Sequence, residues 1–250
     1  MGTFVLIHGA WHGHWCWDAV ATPLRAAGHH VVTPTLTGLG DRAGELNPDV
    51  GLDTHVRDID IAVRAADLRD IVLVAHSYAG MAATGAAACL GDLVNRLVVV
   101  DGFLPERGET ALELLPERAA AHYRESAAEV GDGWRVPPRP LANLGVTDQN
   151  AIDELTPKLT DHPFKTYTDR SRYGASELTV NGNYLLCSGW PSPFRPAAER
   201  ASALGWTVEE LDADHEVPVT DPELLAGRLL RLTGATNAAD TGDSVEEANA

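Results

Sequence analysis

Lysine is nearly missing from this chain. Only Lys158 and Lys165 represent it among 19 basic residues, which face 36 acidic ones, and the formal charge is −17. Nucleic acids and anionic membranes bind basic surfaces, so this balance argues against both as partners. Membrane-spanning runs are missing too: no apolar stretch approaches the roughly 20 residues that cross a bilayer. Cysteine is scarce. Cys16, Cys89 and Cys187 are odd in number, far apart and without a CxxC pair, which predicts reduced, mostly buried thiols of a cytoplasmic protein. Met1-Gly2-Thr3 leads straight into Phe4-Val5-Leu6-Ile7, and this leaves no room for the basic start and cleavage site of a secretory signal.

What is present is an apolar content of 44% in 250 residues, enough for one sizeable α/β domain or one domain with an insertion. The chain is organised around Ile71-Val72-Leu73-Val74-Ala75-His76-Ser77-Tyr78-Ala79-Gly80. Four branched apolar residues without polar alternation predict a strand buried on both faces of a parallel sheet. The small residues from Ala79 to Ala88 predict a helix that lies close against that sheet. A serine at the bend between strand and helix is the pattern of a nucleophile elbow, in which a tight turn exposes Oγ and the helix N-terminus favours developing negative charge. The usual motif is Gly-x-Ser-x-Gly. Here Ala75 and Ala79 stand at the glycine positions, with Gly80 one place later, so the turn is expected to form at some strain.

The remaining elements repeat the strand-helix alternation. Strands are expected at Phe4–Ile7, from Val31-Val32, at Leu97–Val100, at Tyr184–Cys187 and from Trp206 to Leu211. A first helix is expected to run to about Ala27 and stop at Gly28. A second is expected to be capped by Asp53 or Thr54, and the last to open with a capping box at Thr220-Asp221-Pro222-Glu223. This order predicts a parallel, doubly wound sheet. The interval from Asp101 to Tyr184 is too long for a plain crossover. It reads as a helical cap over residues 104–182, set on a core of 1–103 and 183–233, where open α/β sheets bind ligands. Helices are expected near Pro116–Val130 and Asp148–Leu159, and Tyr123, Trp134, Phe164, Tyr167 and Tyr173 are expected to line a pocket or hold the cap together. Residues 234–250 are small, polar and acidic, and predict a disordered tail.

A nucleophilic Ser77 needs a base, an oxyanion site and a group that orients the base. His215, in Asp212-Ala213-Asp214-His215-Glu216 after the last strand, is the candidate base. The oxyanion donors would be the backbone N–H groups of Tyr78 and Ala10. His8, His12 and His14 are spaced like metal ligands, but no carboxylate or thiol cluster accompanies them in sequence, and the loop has a ready use as the oxyanion turn. The expectation is no metal and no cofactor.

Three segments, FVLIHGAWHGHWCW at 4–17, HSYAGM at 76–81 and DADHE at 212–216, resemble the α/β-hydrolase branch of plant methyl-salicylate esterases and hydroxynitrile lyases, to which bacterial serine esterases are similar. The resemblance covers residues 3–104 and 183–232 and implies an α/β-hydrolase fold, a six-stranded sheet of order 2-1-3-4-5-6 with the cap inserted after the fourth strand. The lyases of that branch carry Thr where this chain has Ala10 and Lys where it has Glu216, so the resemblance implies ester chemistry. Esterases usually place an apolar residue at the second position, and Glu216 departs from that with an expected change of pocket charge. The family also places its orienting Asp in the loop that here reads Ser188-Gly189-Trp190-Pro191-Ser192-Pro193-Phe194, without a carboxylate. Asp101, ending the fourth strand, is the acid that remains, in an arrangement similar to that of the haloalkane dehalogenases; Asp212 and Asp214 are the alternatives.

The sequence thus predicts a serine hydrolase of small hydrophobic esters or lactones, working through Ser77, His215 and Asp101 with Trp11, Phe103, Trp134 and Tyr167 against the substrate. The alternative is a non-hydrolytic tailoring enzyme of secondary metabolism, a cyclase or C–C bond-forming catalyst that uses the same pair for acid–base chemistry. A ligand receptor with a vestigial site is disfavoured by the intact Ser/His pair. The expected partner is a small hydrophobic molecule, and a homodimer is compatible with the sequence.

Overall fold

The computed structural model describes residues 1–234, and the tail expected over 234–250 lies, but for Gly234, outside the described residues. Its strands are β1 (Thr3–Ile7), β2 (His30–Val32), β3 (Ile71–His76), β4 (Val94–Val100), β5 (Arg135–Val136), β6 (His162–Pro163), β7 (Asn181–Cys187) and β8 (Thr207–Leu211). Six of them form one parallel sheet of order β2-β1-β3-β4-β7-β8, the expected order once the short antiparallel ribbon β5-β6 is set aside. The helices are α1 (Asp18–Ala26), α2 (Leu52–Ala65), α3 (Ala79–Leu90), α4 (Ala111–Leu114), α5 (Glu117–Glu129), α6 (Gln149–Leu155), α7 (Lys165–Thr168), α8 (Arg195–Ala203), α9 (Val217–Thr220) and α10 (Pro222–Gly234).

The unpatterned run in β3 serves two cores, because successive strand residues point to opposite faces. Ile71, Leu73 and Ala75 join Val5, Ile7, Leu97 and Val99 in a core that includes Ile59 of α2, Met81 of α3 and Ala198 of α8. Val72 and Val74 join Phe4, Leu6, Val98 and Val100 in a second core with Trp17, Val20 and Leu24 on and beside α1, and with Leu225 and Leu229 of α10. Registers of β3 on β4 and of β4 on β7 bring the strand ends level: Ser77 N donates to Val100 O at 3.0 Å, and Asp101 N to Leu185 O at 2.7 Å. The residues that follow β3 and β4 therefore emerge side by side.

The segment between β4 and β7 carries α4 to α7 and the β5-β6 ribbon, and it is tied to the loops at the strand ends. Trp11 Nε1 donates to Val136 O at 2.9 Å, Thr160 N to Trp11 O at 2.9 Å, and His215 N to Leu144 O at 3.1 Å. It also settles how α2 begins. The helix starts at Leu52, behind Gly51, and its first N–H donates to Asp169 Oδ2, 3.0 Å away at the end of α7. The expected cap at Asp53 or Thr54 is replaced because a distant carboxylate reaches the helix N-terminus; Thr54 instead accepts from Gly51 N at 3.3 Å. The capping box expected at the last helix is also different. Thr220 donates to Asp214 Oδ1, and Asp221 Oδ1 caps α10 through Leu224 N at 3.1 Å.

Tight packing of α3 predicts an asymmetric response to alanine. A Cβ on Gly80 would stand 1.9 Å from the Phe103 carbonyl oxygen, whereas one on Gly227 in α10 meets nothing within 4 Å. Gly80→Ala should cost about 1–3 kcal/mol or more, and Gly227→Ala should stabilise by about 0.5–1 kcal/mol through helix propensity. Thermal unfolding of the two variants against the parent protein checks both signs.

Candidate active site

Ser77 follows β3 directly and adopts φ +57°, the left-handed region that costs a non-glycine residue about 1–2 kcal/mol. The strained turn is the one expected of a nucleophile elbow. Ala75 and Ala79 both fit in it, fully buried. The crowding falls instead on neighbouring loops. A Cβ on Gly9 would stand 3.0 Å from Ser77 Cβ, and one on Gly102 would stand 2.5 Å from Ser77 O.

His215 lies across from this turn. Its Nε2 is 2.9 Å from Ser77 Oγ and its Nδ1 is 2.7 Å from Asp101 Oδ2. A carboxylate only accepts, so Nδ1 carries the hydrogen and Nε2 presents a lone pair to the serine hydroxyl. The ring is held on three sides, stacked on Phe194 at 5.6 Å and set against Trp190 and His76 at 4.8 Å each. Its carbonyl accepts from His76 Nε2 at 2.8 Å.

Asp101 is 0% exposed, and four donors converge on it. Cys187 N at 3.3 Å and Ser192 Oγ at 2.8 Å reach Oδ1, while Trp190 Nε1 at 2.9 Å joins His215 on Oδ2. The loop without a carboxylate is thus not idle: two of its side chains hold the acid that β4 provides. Asp214 does not compete for His215, since its Oδ1 accepts from Glu216 N and Thr220 Oγ1, and Asp212 is exposed.

The loop after β1 faces Ser77 from the other side. Among the described residues no group accepts from the backbone N–H of Ala10 or Tyr78. His8 Nε2 accepts from Leu36 N at 3.0 Å, so Nδ1 donates to Gly9 O at 2.9 Å. Of the residues expected against substrate, Trp11 is buried, with φ +66° and its indole N–H spent on Val136 O. Phe103 packs edge-on against Phe194 at 5.0 Å. Tyr167 is buried among Tyr78, Tyr123 and His162. Trp134 is half-buried, with the Arg135 guanidinium 5.3 Å from its ring centroid. Tyr173 stands apart, in a surface cleft with Val56, Arg57 and Cys89.

Sequence reasoning missed three features here. The indole of Trp190 and the hydroxyl of Ser192 as donors to Asp101 had no signal beyond the loop's lack of acid. The charge of Glu216 was expected in the pocket, but it is directed to His12, with Nε2 and Oε2 3.1 Å apart. The hydroxyl of Tyr78 donates to His55 Nδ1 at 2.9 Å, while His55 Nε2 donates to Thr37 O at 2.9 Å.

The sequence profile of the Alpha/beta hydrolase family matches residues 4–228. The chain belongs to that family. It is 36% identical to a carbendazim hydrolyzing esterase of Nocardioides sp. (strain SG-4G), over 93% of this chain and the whole of that protein. It is 27% identical to the probable esterase PIR7A of Oryza sativa subsp. indica, over 92% of this chain and 95% of that one. An extracellular alpha/beta-hydrolase from a Paenibacillus species shares the fold at a TM-score of 0.81 and 22% identity, covering 92% of this chain and 98% of its own.

Four buried histidines around this alpha/beta-hydrolase site set its acid tolerance. Burial pushes His8 and His76 down to about 3, His55 to about 4 and His162 well below its ordinary value. Each has a folded value below its unfolded one, so the unfolded chain binds more protons below pH 6.5 and stability falls as pH falls. For His8, His55 and His76 the loss is about 2 kcal/mol each between pH 7 and 5, together comparable with the stability of a typical domain. Denaturant unfolding at pH 7, 6 and 5 should show a steep decline; equal midpoints at 7 and 5 would contradict it.

Proposed function

We propose that this protein is a serine hydrolase that cleaves a small hydrophobic ester or lactone through an acyl-Ser77 intermediate. The observation that carries the reading is the continuous hydrogen-bonded line from Ser77 Oγ through His215 to Asp101, with links of 2.9 and 2.7 Å. The esterase relatives support the same reaction class. In this reading residues 104–182 are a cap that closes a pocket over Ser77, and the enzyme is cytoplasmic, as its three free thiols suggest. No helix among the described residues is long and apolar enough to cross a membrane.

Ser77 Oγ attacks the carbonyl carbon while its proton passes to His215 Nε2. The carbonyl oxygen becomes an oxyanion, and the N–H groups of Ala10 and Tyr78 stabilise it. Asp101 keeps the imidazole in the productive tautomer and offsets the charge of the imidazolium. Collapse of the tetrahedral species breaks the carbonyl–oxygen bond, and His215 returns the proton to the leaving alkoxide or phenoxide. Water then attacks the acyl-serine with His215 as base, releasing the acid and restoring Ser77.

Ser77→Ala and His215→Ala should each abolish turnover, by up to about 10⁶-fold and without additivity in the double variant. Asp101→Asn should keep the fold and lower kcat by about 10²–10⁴-fold, because Asn favours the wrong imidazole tautomer. An activated aryl acetate should give a stoichiometric burst, and a fluorophosphonate should label Ser77 alone. A protein that resists the label yet turns over esters would refute the acyl-serine mechanism; carbendazim is a natural first substrate to test beside simple aryl esters.

A further inference from the structure

Two titratable groups lie against the catalytic residues without a place in acyl transfer. His12, on the loop after β1, has Nδ1 2.7 Å from Ala10 O and Nε2 3.1 Å from Glu216 Oε2. Their side chains are 2% and 3% exposed. The Nε2–Oε2 contact is an ion pair without an aligned hydrogen bond, and a buried carboxylate this close favours the charged imidazole, so the pair is an imidazolium and a carboxylate. Ala10 provides an oxyanion donor in the mechanism above, and Glu216 is the residue after His215. We infer that the His12–Glu216 ion pair is a positioning device that clamps the oxyanion loop to the loop of the catalytic histidine. The inference rests on the acyl-transfer reading and names two residues for it that touch neither substrate nor reacting atoms.

The surroundings make the pair the group that titrates. His12 and Glu216 are faced by His8 just after β1, Cys16 on the following turn, His76 at the end of β3, Cys187 at the end of β7, and Asp214 and His215 on Glu216's own loop. His8 and His76 are pushed by burial down to about 3, and Cys16 and Cys187 are pushed up by burial, so all four stay neutral through ordinary working pH. Burial alone would lower His12 and raise Glu216. Each partner outweighs it, so His12 is raised and Glu216 is lowered to about 2. As pH rises through the raised value of His12, the positive charge of the pair is lost. The clamp then opens and an uncompensated carboxylate is left beside His215, so kcat falls on the alkaline side.

The test uses Glu216→Gln, which keeps the shape and removes the charge that holds the second proton on His12. With a small aryl ester, kcat of the variant should be about 10–100-fold below the parent at pH 8, with KM within about twofold. The alkaline limb of the variant should move to lower pH by about one unit or more. A role confined to stability would not move that limb. Should the variant fold poorly, the parent protein suffices: the imidazole signals of His12, followed by nitrogen NMR, should show both nitrogens protonated at pH 7 and should titrate in step with the alkaline limb of kcat. A neutral His12 at pH 7, or a limb that does not follow it, overturns the inference. Fluorophosphonate labelling of the parent separates the two ideas. Labelling of Ser77 with an unmoved pH profile overturns the clamp alone, whereas failure to label Ser77 overturns the mechanism and the clamp with it.

Discussion

The carboxylate of Asp101 has no exposure to water, and an unpaired charge so placed would cost several kcal/mol. Its four donors come from the end of β7, from Trp190 and Ser192 in the loop that follows, and from His215 after β8. Both loops are therefore arranged around one atom group that belongs to β4. His215 is fixed as one donor among four, and its other nitrogen is thereby aimed at Ser77. Asp101 itself takes φ +42°, Ser77 +57° and Trp11 +66°. Three of the site's loops thus hold a non-glycine residue in a left-handed turn, and the packed strand ends beneath them over-determine that geometry.

A second buried carboxylate so close to the first would weaken the arrangement if it stood alone. Glu216 lies next to His215 in sequence and is nearly as buried as Asp101. His12 cancels its charge, so His215 sees one net negative group, on the side where its proton is held. The other histidines nearby, His8 and His76, add hydrogen bonds without charge. The site thus gains five histidines' worth of polar connections, counting His55 behind Tyr78, while keeping its uncompensated charge at Asp101.

Much of this was legible in the chain because the signals were local. The run Ile71–His76, the small-residue helix after it and the loop position of His215 each follow from hydrophobic period or from a turn, and the sheet came out in the expected order. The resemblance and the absence of acid between Ser188 and Phe194 left Asp101 as the candidate, with Asp212 and Asp214 as alternatives, and the fold sets Asp101 Oδ2 2.7 Å from His215 Nδ1. What could not be read depends on residues far apart in sequence. Nothing near Leu52 signals that Asp169 caps its helix, and nothing near Trp190 signals that an indole N–H will take up a carboxylate oxygen. His12 and Glu216 were each conspicuous, one as a possible ligand and one as a departure from relatives. Only the fold reveals that each is the explanation of the other.

The elbow's missing glycines follow the same logic. A glycine is required where another backbone comes within reach of a Cβ, and the sequence motif names positions that often satisfy that condition. In this chain Ala75 lies within β3 and Ala79 at the start of α3, and both methyl groups are buried in the core shared by α2 and α3. Close approach occurs one residue later and on the facing loops: Phe103 O sits over Gly80, Ser77 O over Gly102, and Ser77 Cβ over Gly9. With the crowding on its neighbours, the turn at Ser77 forms at φ +57° with two additional methyl groups in the core. The hydrogen bonds from Gly80 N and Phe103 N, which share the Ser77 carbonyl at 3.2 and 3.1 Å, hold the backbone of that turn in place.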